Sequence, residues 1–124
     1  MRVYYEDTDA GGVVYHAQYL NFMERARTEW LRHLGFDQTR LADEQGIIFV
    51  AYAVQVKFAK PARLNDMLQV TASIESARHF SLVFAQKILR ADEILTRASV
   101  SIACLNTLTL KPVALPANLR KLLI

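Results

Sequence analysis

One wide amphipathic pattern, between Ala17 and Leu34, constrains the fold of this 124-residue sequence more than any other feature. Its apolar residues recur with the period of an α-helix and cover about half of the circumference. They are Tyr19, Leu20, Phe22, Met23, Ala26, Trp30, Leu31 and Leu34. A helix over this span is about 27 Å long, and Gly35 is well placed to end it. Because the apolar face is so wide, the pattern predicts a helix that packs into a sheet.

Arg27 interrupts this apolar face. A cation in such a position needs a partner or a route to solvent. Glu24 lies one turn earlier and is predicted to pair with it. We interpret this pair as structural rather than catalytic.

After the helix, the sequence alternates apolar and polar side chains, which is typical of β-strands. The alternating stretches are residues 50–59, 68–75, 80–89 and 97–104. Short connections between them predict an antiparallel meander. Residues 2–5 are predicted to add a strand, and residues 37–45 a short helix before Gly46. One helix on one antiparallel sheet of five or six strands is an α+β architecture. Residues 1–124 are expected to form a single domain, and the part of the sheet that the helix leaves uncovered is expected to pair with a second copy of the chain.

Composition excludes several classes of protein. A chain with 52% hydrophobic and 22% charged residues can bury a core, so wholesale disorder is excluded. A single cysteine excludes an internal disulfide framework or a cysteine-based zinc cluster. The longest apolar run, Ile47 to Val54, is too short to cross a bilayer, and the N-terminal residues MRVYYEDTD are acidic where a secretory signal would be apolar. A cytoplasmic protein without a transmembrane segment is therefore expected.

The net charge of +3 is concentrated in the second half, where residues 63–124 hold eight Lys/Arg against four Asp/Glu. This basic excess suits an anionic partner, such as a phosphorylated small molecule, a nucleic acid or an anionic membrane surface. Ordinary solubility charge accounts for it equally well. Nucleic acid is disfavoured, because no run of Lys/Arg exceeds two and no aromatic-plus-basic recognition motif is present.

Several kinds of catalytic site are absent from the sequence. It contains no nucleophile-elbow serine motif, no P-loop and no Rossmann glycine fingerprint. Cys104 lies on the apolar face of a strand pattern and is predicted to be a core residue. The three histidines, at positions 16, 33 and 79, lack metal-ligand spacing, so no metal site is expected.

Residues 5–18, YEDTDAGGVVYHAQ, remain as the candidate site. If the strand continues, Asp7 and Asp9 share one face of it. The long helix has no Ser, Thr, Asp or Asn at its expected cap, which leaves free N–H groups near His16 and Ala17. Free N–H groups beside a glycine turn can hold an anion or oxyanion, and a nearby carboxylate can act as base or nucleophile. The alternative is that these acids are turn residues that satisfy the N–H groups themselves.

A thioester suits a site that consists of one carboxylate and free backbone N–H groups. Its leaving group is a thiolate, whose conjugate acid has a pKa of about 8.5, so it departs with little help from a general acid. An amide or alkyl ester would need a proton donor, and no second well-placed donor stands out in the sequence.

The stretch from Tyr5 to Ala17, continuing through Tyr19 to Glu24-Arg25-Ala26-Arg27, resembles the 4-hydroxybenzoyl-CoA thioesterase family of hotdog-fold proteins. More narrowly, it resembles the YbgC-type acyl-CoA thioesterases associated with the Tol-Pal system. The segments PARLNDML (61–68), SLVFAQ (81–86) and KPVALP (111–116) resemble the same subfamily, so the resemblance covers essentially the whole chain. It implies a long central helix wrapped by a curved antiparallel sheet, with homodimers that often pair into homotetramers and active sites at the dimer interface.

The resemblance also implies roles for individual residues in acyl-CoA hydrolysis. Asp9 would be the nucleophile or general base, and the backbone N–H of His16 the oxyanion donor. Tyr15 and His16 would line the acyl site, and Gly12 and Val13 are expected to contact substrate. Arg63 and Lys60 are candidates to meet the phosphates of coenzyme A, as are Lys57, Arg78 and Arg90. Coenzyme A is part of the substrate, so no cofactor is expected.

Two other functions are compatible with the sequence. A hotdog dehydratase would use a His and an acid across the dimer, and the acid on the long helix would then matter. A non-catalytic module would bind acyl-CoA or an acyl carrier without releasing thiol. The resemblance further suggests acyl carrier protein as a partner and a peripheral location at the inner membrane.

Overall fold

The computed structural model describes residues 1–123. A 3₁₀ turn at Tyr5–Asp7 precedes the long helix α1, Gln18–His33, and a short helix α2, Gln38–Arg40, continues as a π-helical turn at Leu41–Gln45. Five strands and a final helix follow: β1 Ile47–Phe58, β2 Gln69–Val70, β3 Ser73–Ala77, β4 Ser81–Arg90, β5 Glu93–Asn106 and α3 Ala117–Leu123. The α+β class is confirmed, as are the long helix and the short helix before Gly46.

Helix α1 ends where the sequence predicts, through a glycine in the left-handed conformation. Gly35 has φ of +94°. Its N–H donates to the carbonyl of Arg32 at 3.0 Å, and the N–H of Phe36 donates to the carbonyl of Leu31 at 2.9 Å. These two bonds form a Schellman motif, which satisfies carbonyls that the helix end leaves free.

The sheet is antiparallel with strand order β1-β5-β4-β2, and β3 also pairs with β4. The predicted meander is right for β2 to β5 but wrong for β1, which pairs with β5 at the opposite edge from β2. The connector between β1 and β2, residues 59–68, does not form a tight turn. Instead it bonds to the N-terminal segment, with Val3 N–H donating to Asp66 and Val14 N–H to Ala62.

A bulge at Tyr52 reverses the alternation of strand β1. The sequence pattern places residues 50, 52, 54, 56 and 58 on one face. In the structure Ala51 pairs with Ile102 but Ala53 pairs with Ser101, so Tyr52 is the extra residue. Val54, which pairs with Val100, returns to the helix side of the sheet. The predicted face is therefore wrong for Val50 and Tyr52, because the extra residue shifts the side-chain register by one.

The core lies between α1 and the sheet. Tyr19, Phe22 and Met23 of the helix pack in one cluster with Ile88 and Leu95 of the strands. A second cluster contains Leu82, Phe84, Val100, Ile102, Cys104 and Leu115, with Trp30 of the helix packed against it. A fully buried side chain of this size contributes about 1.5–3 kcal/mol. This packing is the central helix on an antiparallel sheet that defines the hotdog fold.

The predicted strand at residues 2–5 is wrong. Residues 1–3 bond to the connector, but they form a single isolated bridge, Arg2 to Met67, and the backbone then turns into the 3₁₀ segment. The N–H of Tyr4 donates to Oδ2 of Asp7 at 2.9 Å. This local bond competes with strand pairing.

The predicted bond between Arg27 and Glu24 is wrong. Arg27 bonds instead to strand β4 of the sheet. Its Nη1 donates to Oε1 of the buried Gln86 at 3.0 Å, and Nε2 of Gln86 donates to the carbonyl of Met23 at 3.0 Å. Glu24 accepts from Thr28 instead. Burial lowers the pKa of Arg27, and the charge of Glu24 offsets part of that effect. The pairing differs because strand β4 places a neutral amide oxygen inside the apolar face.

Cys104 is a core residue, as predicted. Its side chain is buried in the second cluster, and Sγ lies 3.7 Å from the carbonyl oxygen of Ala114. Burial raises the pKa of its thiol to about 11.

Candidate active site

The segment between the 3₁₀ turn and α1 folds back on itself around Asp9. Thr8 pairs with Val14 in an isolated bridge. The N–H of Asp9 donates to the backbone carbonyl of Val13 at 2.9 Å, and the N–H of Gly12 donates to the backbone carbonyl of Asp9 at 3.0 Å. The result is a tight turn, Asp9 to Val13, which we call the Asp9 turn. It presents the Asp9 side chain on the surface of the single chain.

Local geometry explains why glycine occupies both positions 11 and 12 of the Asp9 turn. Gly12 has φ of +79°, a conformation that favours glycine. The N–H of Gly11 donates to Oδ1 of Asp9 at 2.8 Å, and a Cβ at Gly11 would lie 3.2 Å from the same oxygen. Gly11 therefore orients the carboxylate and leaves it room.

Asp7 has a different environment from Asp9, contrary to the shared strand face expected from the sequence. Its side chain is only 6% exposed. Oδ1 of Asp7 accepts from Nε2 of Gln18 at 2.9 Å, and its backbone carbonyl accepts from the N–H of Tyr15 at 3.0 Å. Asp7 thus ties the 3₁₀ turn to the start of α1. The sequence pattern does not single out Gln18. A polar side chain in the first turn of a helix without a cap residue is the feature that could have indicated this bond.

Helix α1 begins without a side-chain cap, as the sequence predicts. The N–H of Gln18 donates to Tyr15 at 2.8 Å, and that of Leu20 to Ala17 at 3.2 Å. Within residues 1–123, the N–H groups of His16 and Ala17 have no acceptor. Two donors at the positive end of the helix dipole are therefore available to an anionic group.

Two aromatic side chains flank these donors. Tyr15 and His16 are both exposed, with ring centroids 4.4 Å apart and planes tilted by 42°. The next residue of the helix face, Tyr19, is buried and its hydroxyl accepts from the N–H of Ala62 at 2.9 Å. This bond fixes the connector against the helix start.

The connector brings one predicted phosphate-binding cation beside the Asp9 turn. Val13 pairs with Arg63 in an isolated bridge, and the Arg63 side chain is exposed. Lys60 is also exposed, but its Nζ lies 2.7 Å from Oε2 of Glu93. The structure therefore places Arg63 next to the turn and engages Lys60 in an ion pair. Lys57 and Arg78 are exposed elsewhere on the surface.

Arg90, another predicted phosphate contact, instead pairs with two carboxylates, and one of them belongs to the connector. It bonds to Oδ2 of Asp66 at 2.7 Å and Oε1 of Glu93 at 2.6 Å. Burial alone would raise the pKa of Asp66, but hydrogen bonds from Arg90 and from the N–H of Arg63 outweigh it and lower that pKa. Lys60 and Arg90 lower the pKa of Glu93 in the same way.

A separate cleft of about 180 Å³ opens between α1 and the β1 edge of the sheet. Its lining consists of Glu24, Arg27, Thr28, Leu31, Gln38, Phe49, Ala51, Leu82, Phe84 and Ile102. The floor is apolar and the polar side chains come from the two helices. No residue of the Asp9 turn lines it, so the single chain keeps this cleft and the turn apart.

Comparison with known proteins identifies the family. The family model described as the thioesterase superfamily matches residues 11–96. The chain belongs to the thioesterase superfamily. It is 51% identical to the acyl-CoA thioester hydrolase YbgC of Escherichia coli O6:H1, over 96% of this chain and 89% of that protein. It is 44% identical to the acyl-CoA thioesterase YbgC of Haemophilus influenzae, over 97% and 88%.

A solved thioesterase structure confirms the fold. The probable thioesterase of Bartonella henselae superimposes with a TM-score of 0.90 at 39% identity, covering 94% of this chain and 95% of that one. The resemblance to YbgC-type proteins and the hotdog fold that it implies are therefore confirmed. Within residues 1–123 every helix is too short or too polar to cross a bilayer.

Proposed function

We propose that this thioesterase hydrolyses acyl-CoA to a free acid and coenzyme A, with Asp9 and the backbone of His16 as its catalytic groups. The observation that carries this proposal is one short segment holding both an exposed, oriented carboxylate and two unbonded N–H groups. The relatives that are named acyl-CoA thioesterases support the substrate class.

In the proposed reaction, the thioester carbonyl oxygen accepts a hydrogen bond from the N–H of His16. That N–H stabilises the negative charge that develops on the oxygen as the carbonyl is attacked. Asp9 either attacks the carbonyl carbon, forming a mixed anhydride that water then hydrolyses, or removes a proton from an attacking water. In both routes the C–S bond breaks and coenzyme A leaves as a thiolate, with a thiol pKa of about 8.5. The reaction needs water and the thioester and no cofactor or metal.

Neighbouring residues position the substrate in this proposal. Gly12, Val13 and Tyr15 line the acyl and thioester region around the turn. Arg63 binds a phosphate of coenzyme A, because its bridge to Val13 holds it beside the turn. Lys60 contributes positive charge but shares it with Glu93.

The proposed active unit is a homodimer formed through strand β1, with two dimers pairing into a homotetramer. Strand β1 is an edge strand on which Val50, Tyr52, Val54 and Phe58 are exposed. An edge of this length with exposed apolar side chains favours pairing with another strand. The dimer would place the active sites at the interface.

We further propose a cytoplasmic enzyme associated with the Tol-Pal system, with peripheral contact to the inner membrane. Acyl carrier protein is a proposed second source of thioester. Its acyl group is attached through the same type of sulfur ester.

The test is a thiol-release assay with short, long and aromatic acyl-CoAs. Asp9→Asn is expected to lower kcat by about 100-fold or more. Glu6→Gln is the matched control, because it removes an exposed acid from the same segment and should keep full activity. Glu24→Gln should also remain active, whereas a dehydratase that depends on the helix acid would lose activity. Saturable acyl-CoA binding by the wild type without thiol release would contradict the proposal.

A further inference from the structure

A hydrogen-bonded turn exposes two leucines at the end of strand β5. We call residues 106–111 the leucine turn. Oδ1 of Asn106 accepts from the N–H of Leu108 at 2.8 Å and of Thr109 at 3.0 Å, and the N–H of Asn106 donates to Lys111 at 2.9 Å. Leu108 is 91% exposed and Leu110 is 60% exposed. These bonds hold both apolar side chains in solvent.

The backbone of the leucine turn is also strained. Leu110 has φ of +59°, a left-handed conformation that disfavours a residue with a branched side chain and favours glycine. A glycine would remove both the strain and the exposed apolar surface at this position. The structure therefore carries two unfavourable features in one residue, which points to a function for the exposed side chain.

The surroundings of the leucine turn are basic. Residues 94–124 contain four Lys/Arg and no Asp or Glu. Leu105 pairs with Pro112 in an isolated bridge. The N–H of Leu115 donates to the backbone carbonyl of His79, and Nη1 of Arg120 donates to Nδ1 of the same histidine at 2.9 Å. These contacts bring helix α3 and the loop between β3 and β4 to the same end of the sheet. Exposed side chains on these segments include Arg78, Phe80, Lys111, Lys121 and Leu122.

The π-helical turn before Gly46 brings acids towards the leucine turn. The N–H of Thr107 donates to the carbonyl of Gly46, which follows Asp43 and Glu44. Glu44 is paired with Arg40 at 3.3 Å. Glu44 is thus paired within its own segment, whereas neither Lys111 nor Lys121 forms an ion pair among residues 1–123.

We infer that the leucine turn inserts into an anionic lipid bilayer, with Lys111 and Lys121 at the level of the headgroups. A projecting apolar tip beside exposed cations matches a bilayer that is apolar inside and negative at its surface. A second copy of the chain fits less well, because it would bring its own lysines against these. This inference deepens the proposed peripheral location by naming the surface, and it does not depend on the proposed hydrolysis.

The test is co-sedimentation of the full chain with vesicles of phosphatidylcholine, with and without phosphatidylglycerol. Wild type should bind the anionic vesicles more strongly, and salt should weaken that binding. Leu108→Ser with Leu110→Gly should lower the partition constant by about tenfold or more. Leu20→Gln, which removes an exposed leucine from helix α1, is the matched control and should bind like wild type.

Leu110→Gly alone separates this role from a structural one. It should raise Tm, because the strain is relieved, while weakening vesicle binding. Binding that is unchanged by the turn variants, or absent in the wild type, would overturn the inference. So would a change of oligomeric mass in these variants without vesicle binding, since the turn would then contact protein. Thiol release should be unaffected throughout.

Discussion

Asp7 and Asp9 are two residues apart and have opposite environments. Asp7 is buried and accepts bonds from Tyr4 and Gln18, whereas Asp9 is exposed and accepts from Gly11. A buried carboxylate with several donors contributes to stability, while an exposed carboxylate held by one turn bond remains free for chemistry. The two acids of this motif therefore divide structural support and proposed catalysis between them.

We expect Asp7→Ala and Asp9→Ala to separate stability from activity. Asp7→Ala should lower the free energy of unfolding by about 2 kcal/mol, because it leaves donors without their partner. Asp9→Ala should lower it by less than about 1 kcal/mol and abolish thiol release. Urea unfolding of both variants, with thiol release measured in parallel, checks this. Equal losses of stability would contradict the division of roles.

Gly11→Ala tests how closely the turn fits Asp9. The new Cβ would lie 3.2 Å from Oδ1 of Asp9, so the carboxylate must shift by a few tenths of an ångström. We expect kcat to fall by about tenfold from such a displacement, with KM less affected. Steady-state kinetics measure the split, and a full kcat would mean that the orientation of Asp9 is unimportant.

The sequence could identify these residues but not their environments. The glycine pair and the uncapped helix start depend on neighbouring residues alone, and both were predicted correctly. The burial of Asp7 depends on a 3₁₀ turn and on Gln18 eleven residues later, which a strand pattern does not reveal.

At the scale of elements, one amide adds hydrogen bonds to the apolar contact between α1 and β4. Gln86 accepts from Arg27 and donates to Met23, so it joins the helix to the sheet inside the apolar layer. The same amide also donates to the carbonyl of Thr71 at 3.3 Å. It thus connects the helix, strand β4 and the link between β2 and β3.

Gln86→Leu is expected to destabilise the protein by about 2–4 kcal/mol, because the half-buried guanidinium of Arg27 loses its acceptor. Adding Arg27→Met should cost less than the sum of the two single changes, since the unpaired cation is then gone. Urea denaturation of the four proteins of this cycle gives the coupling. Additive effects would show that the two side chains act independently.

The Arg90 network makes the anchoring of the connector depend on pH. The folded-state pKa values of Asp66 and Glu93 are lowered, so their contribution to stability is present above the unfolded pKa of about 4 and is lost as pH falls through the folded values. Arg90→Met should lower Tm by about 2–4 °C at pH 7, and the difference should shrink below about pH 4.

Thermal unfolding of wild type and Arg90→Met measures this dependence when it is repeated at intervals of about one pH unit from about pH 3 to about pH 7. Arg97→Met is the control, because Arg97 is exposed on β5 and forms no ion pair among residues 1–123. A constant difference across the pH range would exclude the network as its source.

Local periodicity predicted most elements, and pairing over long distances explains the errors in strand β1 and at Arg27. Helix α1 and strands β4 and β5 carry regular patterns that their own residues determine. The bulge at Tyr52 and the pairing of β1 with β5 depend on a strand about fifty residues later in the chain, so no window of sequence contains them. The same is true of the bond between Arg27 and Gln86.

At the scale of the whole molecule, strand β1 decides the proposed assembly. It is a twelve-residue edge strand, and its middle residues are exposed. A charge on this edge should therefore oppose pairing between copies while leaving the chain folded.

Val50→Lys is expected to convert the proposed oligomer to a species near the 14.1 kDa mass of one chain. Light scattering after size exclusion measures the mass, and circular dichroism confirms folding. If the active sites lie at the interface, thiol release should fall with the dimer fraction. A wild type that is already monomeric and fully active would contradict the proposed assembly.

The burial of Cys104 has a practical consequence. Its thiol is the only one in the chain and its pKa is raised to about 11, so it is almost entirely protonated near neutral pH. A disulfide reagent that turns yellow on meeting a thiolate should therefore report released coenzyme A with almost no background from the folded enzyme. A cysteine engineered onto the surface should likewise accept a fluorophore at that position alone.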